Sequence, residues 1–422
     1  MKEEFLHFVW KQKVLLSNQI YTTQKELVRI LEPGFYNNNS GPDFLYAKIR
    51  IGNTLWAGHV EIHLKSSDWY AHRHQQDDNY DPVILHVVWE DDVPVYSNDN
   101  VPFPTLVVKD YLEDQLFLNY QKLIDNQNWI ACGDGIADVD SFVFNHWLER
   151  LFFERLERKA MQIERWLQET NNDFEAVLFM VLAKNFGLKV NGEAFCQLAQ
   201  SIDFSVIKKV ASSSFSLEAL LFGQAGFLSE TIDVPYHHEL REAYSFLMKK
   251  YQLKPGRKTK FQFFRMRPQN FPTIRIAQLA ALYSSQSNLF SKLMNCRTKN
   301  EYYQVLDLQL NSFWRTHYNF EKLSKASTKN LSKSFKQLLL INAILPMKWL
   351  YGKYSNSSSV NEIIALLEDL PAEQNGIIKG FQRLDIKARN LKESQALLEL
   401  KYNYCAKKRC LQCAIGSKLL KQ

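Results

Sequence analysis

The chain has 422 residues, 46% of them hydrophobic, and carries 52 Lys and Arg against 45 Asp and Glu, a formal net charge of +7. That much apolar side chain excludes a disordered chain, and the length predicts two or three domains. No apolar run approaches the roughly 18 residues needed to cross a bilayer, and Met1-Lys2-Glu3-Glu4 does not begin a signal peptide, so a cytoplasmic location is expected.

The first predicted element is a helix over residues 4–17, followed by a second over Gln24–Leu31 that carries Glu26 and stops before Pro33-Gly34. Asn37-Asn38-Asn39-Ser40-Gly41-Pro42 reads as a turn. Strands are expected at Phe44–Ile51, Thr54–Lys65 and Val83–Trp89, with a further one over Val101–Val108, which makes residues 1–135 an α/β module. From Asp138 onward apolar residues recur at helical spacing, as in Phe142, Phe144, Trp147, Leu148, Leu151, Phe152, Leu156 and Met161. Further periodic stretches fall at Phe174–Asn185, Ser216–Phe227, Thr273–Tyr283, Phe335–Leu345 and Val360–Leu367. Residues 136–422 are therefore expected to be an irregular helical domain, and the fold class is α+β.

Charge separates along the same division. Residues 1–135 hold 11 Lys and Arg against 19 Asp and Glu, or −8, and residues 136–422 hold 41 against 26, or +15. A basic helical region favours a polyanionic partner such as nucleic acid; the plain alternative is a well-solvated Lys-rich surface.

The chemistry concentrates early. Asp43 opens one predicted strand, and Glu61, His63 and Lys65 fall in register on the next, opposite in facing to Val60, Ile62 and Leu64. Two carboxylates on adjacent strands can share a hard divalent cation, Mg²⁺ or Mn²⁺, while a neighbouring Lys or His activates water. His72 and His74 follow at a spacing that puts both imidazoles on one side of an extended segment. His86 lies within Val83-Ile84-Leu85-His86-Val87-Val88 and reads better as a hydrogen-bonded core residue than as a ligand. Ser66-Ser67-Asp68 fits a helix cap better than a serine nucleophile, since no Gly-x-Ser-x-Gly elbow is present. No phosphate-binding glycine loop or dinucleotide fingerprint appears, which leaves ATP and NAD chemistry without support.

Cys196 and Cys296 stand alone in helical stretches, whereas Cys405, Cys410 and Cys413 form a C-x4-C-x2-C group. Clustered thiolates in a reducing compartment bind zinc or an iron–sulfur cluster, and Cys132 is the best candidate for a fourth ligand; a trio of ordinary thiols is the alternative. Arg265 and Arg267 lie between prolines, where they either clamp a phosphate or pin a domain junction.

Pro42-Asp43 and Glu61-x-His63 resemble the two motif strands of the PD-(D/E)XK nuclease superfamily, with His63 standing where that family has lysine. The stretch Trp69-Tyr70-Ala71-His72-Arg73-His74 resembles its very-short-patch repair branch, in which histidines take over lysine's work. That resemblance covers residues 24–90 and implies a restriction-endonuclease-like module, with Glu26 as an additional acid. The one early and three late cysteines resemble the iron–sulfur staples of helicase-associated nucleases of the same superfamily. Nearly end to end, the Ser-Gly-Pro-Asp-Phe, Val-Glu-Ile-His, Ser-Asp-Trp, His-x-His and Arg-x-Arg-Pro-x-Asn-Phe-Pro segments and the terminal cysteines resemble a DUF2851-like bacterial family of unknown function.

The expected function is that of a metal-dependent, nuclease-like phosphodiester hydrolase. Asp43 and Glu61 would hold the ion, Lys65 or His63 would activate water, and His72 and His74 would assist at the phosphate or leaving group. One alternative is an inactive nucleic-acid-binding or scaffold protein with a nuclease-like core. Another is a zinc hydrolase using His63, His72 and His74.

Overall fold

A computed structural model describes every residue except 17–18, 38, 98–99, 255–259 and 357–359. The expected ends of the first helix at Ser17 and part of the asparagine turn at Asn38 lie outside the described residues. The protein is mixed α+β, an N-terminal sheet followed by a large helical region. Two compact units group as Met1–Leu151 with Gln374–Ala388 and Ala396–Gln422, and as Phe152–Glu373 with Arg389–Gln395. Among the described residues no helix is long and apolar enough to cross a membrane.

The first unit opens with α1 (Glu3–Gln12), whose Phe5, Leu6, Val9 and Trp10 are completely buried. Each such side chain contributes about 1.5–3 kcal/mol of burial. Lys13, in left-handed backbone conformation with φ 49°, ends the helix well before residue 17.

Seven strands follow: β1 (Ile20–Tyr21), β2 (Leu27–Glu32), β3 (Phe35–Tyr36), β4 (Phe44–Ile51), β5 (Thr54–Lys65), β6 (Val83–Glu90) and β7 (Thr105–Val107). They form one sheet in the order β1-β2-β4-β5-β6-β7, with β3 paired to β4. β2, β4 and β5 run antiparallel, and β6 and β7 then join in parallel.

The helix expected over Gln24–Leu31 is instead strand β2. Its apolar residues are largely branched, Val28 pairs with Ile51 and is fully buried, and Arg29 points outward, so pairing with β4 overrides a weak helical pattern. Glu26 consequently sits in the β1–β2 turn, its backbone N–H donating to Thr22 Oγ1 at 3.2 Å, beside the Gly52 turn and not on a helix. The strand expected over Val101–Val108 narrows to Thr105–Val107, because Pro102 and Pro104 have no N–H to offer.

A two-residue turn, Gly52-Asn53, joins β4 to β5, and Gly52 supplies its φ of +58°. β5 is buried on both faces from Val60 to His63. One face packs against α1 and α3 (Asp114–Asp125). The other is covered by the segment that crosses to β6, which contains α2 (Asp68–Ala71) and 3-10 turns at His74–Gln76 and Asp78–Tyr80. Trp69, Val83, Val95 and Phe103 form a small second core there. The helix cap expected at Ser66-Ser67-Asp68 does not form: both serine hydroxyls donate to Asp92, and Asp68 Oδ2 accepts from the Lys65 N–H.

After α4 (Ser141–Glu169), the second unit includes α5 (Phe174–Phe186), α6 (Leu188–Gln200), α7 (Phe204–Val210), α8 (Ser214–Gln224), α9 (Pro235–Lys250) and α10 (Pro272–Ser285). α5 and α10 are apolar on nearly every side, and nearly every residue of each is buried, as expected of central helices. Pro346 lacks the N–H that would continue an α-ladder, and the chain just before it widens into a π-turn at Leu340–Ile344.

Candidate active site

Both catalytic strands deliver their acids to one place. The Asp43 N–H donates to Glu61 Oε2 at 3.0 Å, and the Ile62 N–H donates to Asp43 Oδ2 at 3.1 Å, so each acid is held by the other's strand. β4 and β5 are antiparallel neighbours whose register shifts between Phe44 and Ala47, and this irregular end of the pair carries Asp43.

Imidazoles close around Glu61. His63 Nε2 lies 3.4 Å and His74 Nε2 3.3 Å from Glu61 Oε1, while His72 Nδ1 lies 3.2 Å from His63 Nε2. One ligating atom from each of His63, His72 and His74 falls within 4.8 Å of the others. His63 arrives on β5; His72 and His74 arrive from the end of α2 and the turn after it, where Arg73 takes a left-handed φ of 61°. That kink brings the two alternate histidines back over the sheet without an extended segment. Tyr80 stacks on His74 at 3.7 Å and fixes its ring plane.

His86, on β6, is paired in register with Glu61 and completely buried. Its Nε2 is 2.9 Å from His63 Nδ1. Donation from His63 Nδ1 to His86 leaves the His63 Nε2 lone pair facing Glu61 and His72, the way a buried partner orients a metal-binding imidazole.

Sequence reasoning missed two participants. His7 Nε2 is 3.2 Å from Asp43 Oδ2, and Glu3, one helical turn earlier on α1, is coupled to the same carboxylate. Their signal is the i,i+4 spacing of two polar residues on an otherwise apolar helix face. Lys65 continues the Glu61–His63 alternation, but the structure does not bring its amine to the group: Nζ is half exposed and 3.9 Å from Asp92.

Burial dominates the electrostatics. Burial, then the charge of Asp43, pushes the Glu61 carboxyl up to about 9. Burial and then the surrounding imidazoles hold His63 down at about 2, and burial holds His86 at about 3. For His7, burial works against the proton, yet the hydrogen bond and charge of Asp43 leave the net shift upward. Neutral imidazoles present lone pairs, and two adjacent carboxylates without a cation destabilise each other, so the site is built to receive positive charge.

The four candidate cysteines also meet. Cys132, Cys405, Cys410 and Cys413 line one pocket with apolar walls, all within the first unit. Burial pushes the Cys132 thiol up to about 12 and that of Cys413 up to about 11.

A family model described as protein of unknown function (DUF2851) matches residues 3–376. The chain belongs to that family. No curated protein and no solved structure matches it. The matched stretch contains the whole acid–histidine group and Cys132, and it ends before the three later cysteines.

Proposed function

We propose that this DUF2851 protein is a metal-dependent phosphodiester hydrolase whose ion sits among His63, His72 and His74 with Glu61 beside it. The observation that carries the reading is the convergence of three imidazole ligands within 4.8 Å on a buried carboxylate. Imidazole ligands suit Zn²⁺ or Mn²⁺ better than Mg²⁺, which prefers oxygen and retains its waters. Asp43, paired with His7, is the group placed to take a proton from an ion-bound water. Two features support nucleic acid as substrate: the +15 balance of residues 136–422, and a strand sequence of three antiparallel strands followed by a parallel one, the order implied by the nuclease resemblance.

The test is metal analysis of purified protein, followed by cleavage assays on single- and double-stranded DNA and RNA with Zn²⁺, Mn²⁺ or Mg²⁺. Metal-dependent cleavage is expected, lost by at least about 100-fold in His63→Ala and Asp43→Asn. Tight nucleic-acid binding with no turnover under any of the three ions would select the scaffold reading. Turnover in Mg²⁺ alone, unaffected by His72→Ala, would return the ion to Asp43 and Glu61.

A further inference from the structure

The cysteine pocket is independent of the acid–histidine group. Cys132 follows α3, Cys405 ends a π-turn at Leu400–Cys405, and Cys410 and Cys413 flank the start of the last helix, Ala414–Leu420. Four thiols brought together from both ends of a chain leave an apolar pocket with no nitrogen or oxygen ligand to complete a set, so its ligand chemistry is purely sulfur.

The size of the gap between the sulfurs decides what fits. A tetrahedral zinc with Zn–S bonds of about 2.3 Å needs sulfurs about 3.8 Å apart and encloses no further space. Among the described residues no three of these sulfurs lie mutually within 4.8 Å, a separation that the three histidine ligands do meet. Between the sulfurs remains a cavity of about 10 Å³, roughly room for one water sphere. An apolar hole has no partners for a water, whereas a cluster with bridging sulfides holds its four cysteines farther apart and fills the space between them.

Donors are already arranged around one sulfur. The backbone N–H groups of Ile415 and Gly416 point at Cys413. Gly416 can do so because its backbone runs so close to the Cys410 carbonyl that a Cβ would lie 2.2 Å from that oxygen. The indole N–H of Trp147 is buried without a hydrogen-bond partner, and its field favours the thiolate form of Cys413. A protonated thiol does not satisfy a buried indole N–H; a ligating sulfur does. Arg409 lines the same pocket and offsets the negative charge of thiolates.

We infer that Cys132, Cys405, Cys410 and Cys413 hold an iron–sulfur cluster, with Trp147 and the Ile415–Gly416 backbone as hydrogen-bond donors to the Cys413 sulfur. The cluster closes the first unit by joining a residue near its sheet to the chain's last turns.

The full-length protein, purified without oxygen and again after reconstitution with ferrous iron and sulfide, is analysed for iron, acid-labile sulfide and zinc. Iron and sulfide are expected in a ratio of about one, at about two or four of each per chain, with broad visible absorption that bleaches on reduction. One zinc per chain with no sulfide would overturn the inference, as would failure to hold iron and sulfide under either condition. Cys410→Ser should lose most of the iron while Cys196→Ser keeps it. Because Cys410→Ser tests folding as well as ligation, Trp147→Phe is measured beside it: the cluster is retained but its reduction potential falls, since one hydrogen bond to sulfur is gone. An unchanged potential in Trp147→Phe would remove the indole from the cluster's surroundings.

Discussion

At the scale of single residues, buried acids decide both units. Glu218 in α8 is completely buried, and its Oε2 accepts from Tyr236 Oη at 2.7 Å and Trp314 Nε1 at 2.9 Å. Burial pushes its carboxyl up to about 7, with the two hydrogen bonds opposing. Since the folded state holds the proton more tightly than the unfolded chain, stability from this group is complete below about pH 4.5 and declines as pH rises toward 7, at about 1.4 kcal/mol per pH unit. Glu218→Gln is expected to abolish that part of the slope, a difference of roughly 3 kcal/mol between pH 4.5 and 7. Urea unfolding of both proteins across this range measures it; parallel pH profiles would show that Glu218 ionises in the folded protein as freely as in water. Glu61 differs from Glu218 in its company: a second carboxylate and three imidazoles surround it, where Glu218 has only neutral donors.

Among elements, the close approach of α8 to α9 rests on Gly223, where a Cβ would lie 2.2 Å from the Tyr244 ring. Gly223→Ala should cost about 1–3 kcal/mol through overpacking. The same change made in a Tyr244→Ala background should cost much less, and equal costs in the two backgrounds would break the link between these residues. The small-residue run around Gly223 is legible in sequence because a packing requirement leaves a local mark. β4 and β5 are legible for the same reason: alternation and the Gly-Asn turn specify them locally, and they appear at the expected residues. β2 is not, because its strand state comes from pairing with Ile51 and its neighbours, which no window around Leu27 contains. The site divides likewise. Asp43, Glu61, His63, His72 and His74 were readable from spacing, whereas His7 joins them only when α1 is laid against β5, and Lys65 departs because Asp92 draws its amine away.

For the whole molecule, the first unit is discontinuous. Its sheet lies in the first third of the chain, yet Cys410 and Leu420 belong to the same apolar core as Phe5, Trp10 and Val60. Asn119 donates to the Leu420 carbonyl, and Lys421 Nζ donates to Gln12 Oε1 at 3.0 Å. Removing Ala396–Gln422 would uncover Leu400, Ile415 and Leu420 together with the surfaces they fill, a loss of about 5–10 kcal/mol. That is comparable to the whole stability of a domain. The truncated protein is therefore expected to lose cooperative unfolding of the sheet unit while the helical unit still melts, and a calorimetric trace with both transitions intact would contradict this.

The same discontinuity sets an order of events during synthesis. The ribosome makes β1 to β7 first, but the wall that covers them is encoded by residues 396–422. Residues Phe152–Glu373, nearly the whole of the helical unit, are made in between. The unit translated first is thus the last to become complete, and until then its nascent sheet presents Phe5, Trp10 and Val60 without their final cover, a surface on which a holding chaperone would act.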